Sequence, residues 1–275
     1  MAYAFPGEGA LDYFPCRYGA SRLLFRGPQR ALDRPYVAFL GGNETYGKYV
    51  PDPFPDLVEQ ATGLTAINLG CINAGLDVYL NEPGVLRVAQ EAAAVVLQIL
   101  GAGNLSNRFY AVHPRRNDRF IGAAPELKAL FREVDFTEFN FTRHMLQTLH
   151  GVSPERFETV AQELRATWLR RMAELLANLP ARTVLLWLAD HPPAPAPCVA
   201  DLARDPILID AGLMGAVRPL ANAYVEAVRS PDLRPALAGK SYPALEASAA
   251  AALPGPEVHG QVAQIMVQAL KPILG

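Results

Sequence analysis

The chain has 275 residues, 51% of them apolar and 19% charged, with a formal net charge of -2, which suits a soluble globular protein of one large domain, or at most two, with ample length to bury a core. That balance excludes a general electrostatic attraction to nucleic acid or to an anionic membrane, and the longest apolar runs, 92–100 and 184–189, are too short to cross a bilayer. The three cysteines, Cys16, Cys71 and Cys198, stand far apart without a CxxC pair, so neither a disulfide framework nor a thiolate zinc site is expected; the N-terminus has no charged start followed by an apolar signal core, which points to the cytoplasm.

Residues 1–34 read as an N-terminal extension. Tyr36-Val-Ala-Phe-Leu40 is a short apolar run that breaks into Gly41-Gly42, as a buried parallel strand opening into a loop would. Residues 54–63 place apolar side chains at Phe54, Leu57, Val58 and Ala61 and predict an amphipathic helix ending on Gly63. A second strand is predicted over 65–69, a helix over 81–93 and a third strand over 94–100, which again breaks into glycines at 101 and 103. This βαβαβ order favours a parallel sheet covered on both faces, with the first strand between the other two.

The stretch 104–151 is rich in arginine and phenylalanine and reads as an insertion or lid. Ser153-Pro154-Glu155 then supplies an N-cap, a proline at the first helical position and an acid in the first turn. Phe157, Val160, Leu164, Trp168, Met172, Leu175 and Leu179 continue at helical spacing up to Pro180. Strands are predicted over 182–189 and 206–210, separated by a proline-rich loop over 191–197, and Val258, Val262, Ile265, Met266, Ala269 and Leu270 mark a closing helix. The fold expected is a flavodoxin-like three-layer sandwich with a central parallel sheet of about five strands.

Several motifs fall on this frame. Gly42 to Tyr49 comes within one residue of the phosphate loop G-x-x-x-x-G-K-[ST], which would make a nucleotide-dependent enzyme; Tyr49 stands where the metal-binding hydroxyl belongs, and Pro51 and Pro53 oppose the helix that should follow. The five histidines show no HxxxH or HxH spacing, so no metal site and no cofactor is expected. Arg108, His113, Arg115, Arg116 and Arg119 cluster within one short segment and would form a receptor for phosphate, sulfate or carboxylate, unless they are paired with nearby acids.

Four further blocks occur at strand ends and in order: Gly41-Gly42-Asn43-Glu44-Thr45-Tyr46-Gly47, Asn68-Leu69-Gly70, Gly101-Ala102-Gly103-Asn104, and Glu257-Val258-His259. In order and spacing they resemble the four sequence blocks of the SGNH (GDSL-like) hydrolase superfamily, and the whole chain resembles a bacterial family related to it. The resemblance implies an SGNH-like fold with Asn43, Gly70 and Asn104 as oxyanion or ligand-binding groups and His259 as the base. It places Asn43 at the position of the nucleophilic serine, and Pro256 where the orienting aspartate would stand; an amide cannot be acylated as serine is. Cys71, directly after Gly70, and Ser106 are the nearest alternative nucleophiles, each of which also has an ordinary structural reading. Two functions therefore stay open: acyl-ester hydrolysis or transfer on a polar or anionic small molecule, and non-catalytic binding of an anionic ligand in a degenerate cleft, with no nucleic-acid partner and no membrane span.

Overall fold

The computed structural model describes residues 9–196, 201–228 and 237–275; Cys198 and the end of the proline-rich loop lie outside them, as do the first residues of the N-terminal extension. Strands β1 (Tyr36–Leu40), β2 (Thr65–Asn68) and β3 (Ala94–Gln98) form where apolar runs begin after helices or turns. Two further strands, β6 (Thr183–Ala189) and β7 (Ala223–Val228), complete one sheet in the order β2-β1-β3-β6-β7. All its pairings are parallel, with β1 between β2 and β3.

Alternation along each strand divides the core. Ala38, Leu40, Val95, Leu97, Leu185 and Trp187 face one side, while Val37, Phe39, Val96, Val184 and Leu186 face the other. The second face is covered by helix α2 (Phe54–Thr62) and the closing helix α10 (Pro256–Leu274), whose Val258, Val262, Met266 and Leu270 are buried on it. Against the first face pack α3 (Asp77–Leu80), α4 (Pro83–Gln90) and α6 (Thr142–Val152), with the long helix α7 (Pro154–Ala177). Helix α7 starts as its sequence prescribes, with Ser153 Oγ accepting the Arg156 N–H at 3.2 Å. Trp168, fully buried, donates its indole N–H to the Leu100 carbonyl at 2.7 Å, which ties the helix to the loop after β3.

Two elements differ from expectation. Residues 206–210 are not a strand: Ile207, Leu208 and Ile209 are buried as an irregular plug, with Ile207 against Gly101 and Gly103, and only Asp210 makes an isolated bridge, to Ala194. The fifth strand is β7, an edge strand paired along Ala223–Val228 with β6 and mostly half-exposed. The helix expected over 81–93 is the shorter α4, which Pro83 begins at its N1 position, and the four-residue α3 precedes it.

Residues 104–151 hold an antiparallel hairpin of β4 (Tyr110–His113) and β5 (Arg116–Ala123), then α5 (Pro125–Leu130) and α6. Asn117, 1% exposed, fixes the hairpin to the loop after β2: its Oδ1 accepts the N–H groups of Gly75 and Val78 at 3.0 and 2.9 Å. In the N-terminal extension, Cys16 and Phe25 pair through a bridge, and Tyr18, Leu23 and Phe25 enter the core. Among the described residues no helix is long and apolar enough to cross a membrane, and no group of three or more His, Cys, Asp or Glu is placed to hold a metal ion.

Candidate functional site

The chain runs from β1 outward to β2 and then back to β3 on the other side of β1, so the loops leaving β1 and β3 diverge and open a crevice at the carboxyl edge of the sheet. A cavity of about 410 Å³ occupies this switch point, lined among others by Asn43, Glu44, Gln98, Asn104, Thr142 and Arg143.

Gln98, the last residue of β3 and 4% exposed, organises its floor. Its Oε1 accepts the Gly42 N–H at 3.0 Å and the Thr45 hydroxyl at 2.6 Å, and its Nε2 donates to Glu44 Oε2 at 2.8 Å. Two donors at one end and a carboxylate at the other set the orientation of this amide. Gly41 makes the arrangement possible: a Cβ there would lie 2.1 Å from Thr45 Oγ1 and 2.4 Å from Gln98 Oε1. Glu44 retains part of its surface, yet its carboxyl group is closely surrounded, and this burial pushes its pKa above the usual carboxylate range. The Gln98 hydrogen bond opposes the rise, Asp205 adds to it and Arg143 subtracts from it.

Asn73 organises the rim. Its backbone is in the left-handed region, φ 55°, which asparagine tolerates better than most residues. Its N–H donates to Asn43 Oδ1 and its Oδ1 accepts from Asn43 Nδ2, both at 3.0 Å. Asn104 Nδ2 donates to the Asn73 carbonyl at 3.2 Å, while Thr142 donates to Asn104 Oδ1 at 2.6 Å. Asn73 Nδ2 reaches Asp118 on the hairpin at 3.1 Å. Each carboxamide nitrogen has a second N–H, so the ring of asparagines holds itself together and still has donors to offer. Phe141 walls one side and Arg143, paired with Asp205 of the irregular segment, closes another.

The structure thus brings Asn43 and Asn104 together, with Gly42, Glu44, Gly101 and Gly103 of the same two blocks beside them, but not Gly70 or His259 of the other two. His259 sits in the first turns of α10, at the expected end of the sheet, yet it is 2% exposed and does not line the cavity. Its Nδ1 accepts the Phe54 N–H at 3.0 Å and its ring stacks on Phe54, so it caps the N-terminus of α2 in place of a side chain at Pro53. Burial, with help from Arg26 and Lys240, lowers its pKa to about 3, which leaves the imidazole neutral and its acceptor nitrogen occupied. Gly70 is also turned inward: its N–H donates to Asn68 Oδ1 at 3.0 Å, and a Cβ there would lie 2.3 Å from the Tyr46 nitrogen. This N–H is therefore committed to the fold and does not face the cavity.

Cys71 is buried, and desolvation raises its thiol to about 12, far from the thiolate a nucleophile needs. Ser106 lies in the loop before β4, and its Oγ accepts the Val112 N–H at 3.1 Å. The phosphate-loop reading fails on geometry. A four-residue helix α1 (Asn43–Tyr46) ends at Gly47, the next helix starts only at Phe54, and Lys48 pairs with Glu246 at 3.2 Å.

The five-residue anion receptor is divided. Arg108 pairs with Glu163 at 3.3 Å and lies over Phe109, and Arg119 lies over Phe141. His113, Arg115 and Arg116 instead line a second groove, joined to the cavity along Asn73 and Asp118, which border both. Glu44, Gln98 and Asn73 were not singled out by sequence. Gln98 had a signal, since a polar amide interrupts the otherwise apolar predicted strand over 94–100, and Asn73 lies two residues before Gly75 in a loop.

Residues 1–274 match the model of a family described as a domain of unknown function, DUF6473. No curated protein matches the chain. Among solved structures, it is similar to an extracellular lipase from Streptomyces rimosus, with 12% identity and a TM-score of 0.45 over 87% of this chain and 100% of that one. It is also similar to a lipolytic protein of the G-D-S-L family from Desulfitobacterium hafniense DCB-2, with 14% identity and a TM-score of 0.35 over 86% of this chain and 100% of that one.

Proposed function

The chain belongs to the DUF6473 family, and we propose that its switch-point cavity binds a neutral, hydroxyl-rich small molecule of about monosaccharide size, in an SGNH-like layout that lacks a serine–histidine pair. The observation that carries this reading is the composition of the cavity wall. Asn43, Asn73, Asn104 and Gln98 offer amide donors, Glu44, Asp118 and Asp205 offer carboxylate acceptors, and Arg143 is the one guanidinium among the described lining residues. Hydroxyl groups both donate and accept, so each can satisfy such a wall, and the exposed Phe141 suits the C–H face of a sugar ring. An anion would meet three carboxyl groups against one cation already paired with Asp205; this separates the ligand of the cavity from the anion suggested by the arginine-rich segment.

A second reading rests on Glu44. A carboxyl group with a raised pKa beside amide donors can act as a general base without any covalent intermediate. In that reading Glu44 takes a proton from water as the water oxygen bonds to an ester carbonyl carbon. The asparagine amides hold the resulting oxyanion, and Glu44 returns the proton to the departing alkoxide as the old C–O bond breaks.

The test is a thermal-shift panel of mono- and disaccharides and their acetyl esters on the wild type and on Glu44→Ala, with ester turnover followed in parallel. Binding predicts a concentration-dependent rise in melting temperature with a neutral saccharide that Glu44→Ala loses. Acetyl-ester turnover that Glu44→Gln abolishes moves the conclusion to hydrolysis. No saccharide shift, or a shift that survives Glu44→Ala, overturns the binding reading.

A further inference from the structure

Beside the acidic cavity lies a larger groove, about 1090 Å³, framed by the N-terminal segment 10–24, the turn at Lys48 and Tyr49, and the tip of the β4–β5 hairpin. We propose that this groove is a separate site for a soluble anionic amphiphile, a small molecule that joins a phosphate-like head to an apolar body.

The argument starts from charge. Arg17, Arg22, Arg115 and Arg116 line the groove and are exposed, and among the described residues none of their guanidinium groups has an ion-pair partner. Of the carboxylates on the same wall, Glu246 is paired with Lys48 and takes the Tyr49 hydroxyl, while Asp12, which accepts the Phe14 N–H at 2.9 Å, and Asp118, which accepts from Asn73, keep their charge and are outnumbered two to one by the four guanidinium groups. Four unpaired guanidinium groups on one concave surface of a chain whose net charge is -2 are a local concentration, not a reflection of overall composition. Their planar forks match the oxygens of a phosphate or sulfate.

The second element is apolar. Leu24 and Ile72 are 41% and 42% exposed, among the most exposed large aliphatic side chains of the described residues, and both line this groove beside Leu11 and Leu23. Exposed aliphatic surface next to unpaired arginines fits neither a free inorganic anion, which leaves the leucines wet, nor a neutral lipid, which leaves the arginines unmatched. One ligand with both parts satisfies both. The volume of about 1090 Å³ lies just above the roughly 300–1,000 Å³ of small-molecule pockets, a size that suits a single molecule and not a bilayer surface.

The measurement is isothermal titration calorimetry with octyl phosphate below its micelle concentration, compared with inorganic phosphate, 1-octanol and vesicles containing anionic phospholipid. The groove predicts saturable one-site binding of octyl phosphate, with inorganic phosphate and octanol each at least tenfold weaker. Affinity falls at least tenfold in Arg17→Ala/Arg22→Ala and, independently, in Arg115→Ala/Arg116→Ala; either pair suffices if the other perturbs folding. Glu44→Ala leaves it unchanged, so failure here is distinct from failure of the saccharide reading. Binding indifferent to both arginine pairs, octanol binding as tightly as octyl phosphate, or binding to vesicles alone overturns the proposal.

Discussion

Replacing His259 by asparagine isolates what the buried imidazole contributes. In the folded chain its pKa is lowered from 6.5 to about 3, so the unfolded chain takes up a proton below 6.5 that the folded chain refuses. The unfolded state therefore binds more protons, and stability is lost as pH falls from 6.5 toward 3. One pKa unit corresponds to about 1.4 kcal/mol, so about 1.5 units below 6.5, near pH 5, the wild type has lost about 2 kcal/mol from this residue alone, and near pH 7.5 almost nothing. Asparagine can accept the Phe54 N–H through its Oδ1 and does not titrate. Its smaller volume leaves a pH-independent deficit of roughly 1–2 kcal/mol, but the wild type loses about 2 kcal/mol between pH 7.5 and pH 5 that the variant does not, so the variant should equal or exceed it at pH 5. Urea unfolding at both pH values, followed by tryptophan fluorescence, measures it. Parallel pH dependences would show that the imidazole titrates freely in the folded protein, and would restore it as a candidate base.

Glu44→Gln should stabilise the protein above the pKa of the folded-state carboxyl group. That pKa is raised by burial, so the stability Glu44 contributes is present in acid and lost as pH rises through it; the gain in melting temperature should vanish in acid below 4.5, and a gain independent of pH speaks against a raised pKa. Cys71, buried with its thiol near 12, should resist iodoacetamide at about pH 8 in the native protein and react after unfolding, as peptide mass mapping of that position will show; rapid native alkylation contradicts the burial. Thr142→Val removes the 2.6 Å donor that holds Asn104 and should cost about 1–2 kcal/mol in chemical denaturation, together with weaker saccharide binding; an unchanged affinity would detach Asn104 from the ligand. Gly70→Ala drives a Cβ to 2.3 Å from the Tyr46 backbone and should cost about 3 kcal/mol or more, so a variant as stable as wild type refutes the close approach.

The sheet was readable where a strand is buried on both faces and leaves through glycine, as at Leu40 and Gly41, because burial demands a continuous apolar run. The same rule misled at 206–210, where Ile207 and Leu208 are apolar because they plug the space beside Gly101 and Gly103, not because they pair in a ladder. Strand β7 escaped notice for a different reason: at the edge it is mostly half-exposed, and Glu226, which accepts the Tyr224 hydroxyl, interrupts its short apolar run. Asn43 and Asn104 could be found because strand ends converge by topology. Glu44 and Gln98 could not, since their pairing joins a helical turn to a strand 54 positions away. The arginine cluster misled through its closeness in sequence: the hairpin carries Arg115 and Arg116 at its tip, while Arg119 turns to Phe141 and Arg108 stays outside on Glu163.

The division of labour between the two sheet faces bears on synthesis. One face is sealed by helices drawn from the middle of the chain, but the other depends on α2 and on Pro256–Leu274, which is made after every strand of the sheet. While a ribosome is still making that helix, Val96, Val184 and Leu186 have no cover from it, and the strands that bear them are already able to pair. The nascent chain therefore passes through a stage with this face covered only in part, by α2, when a holding chaperone or a neighbouring nascent chain meets its exposed apolar side chains. A late frameshift or premature stop after residue 253 would preserve most of the cavity's lining and yet deliver a protein bound for aggregation or proteolysis.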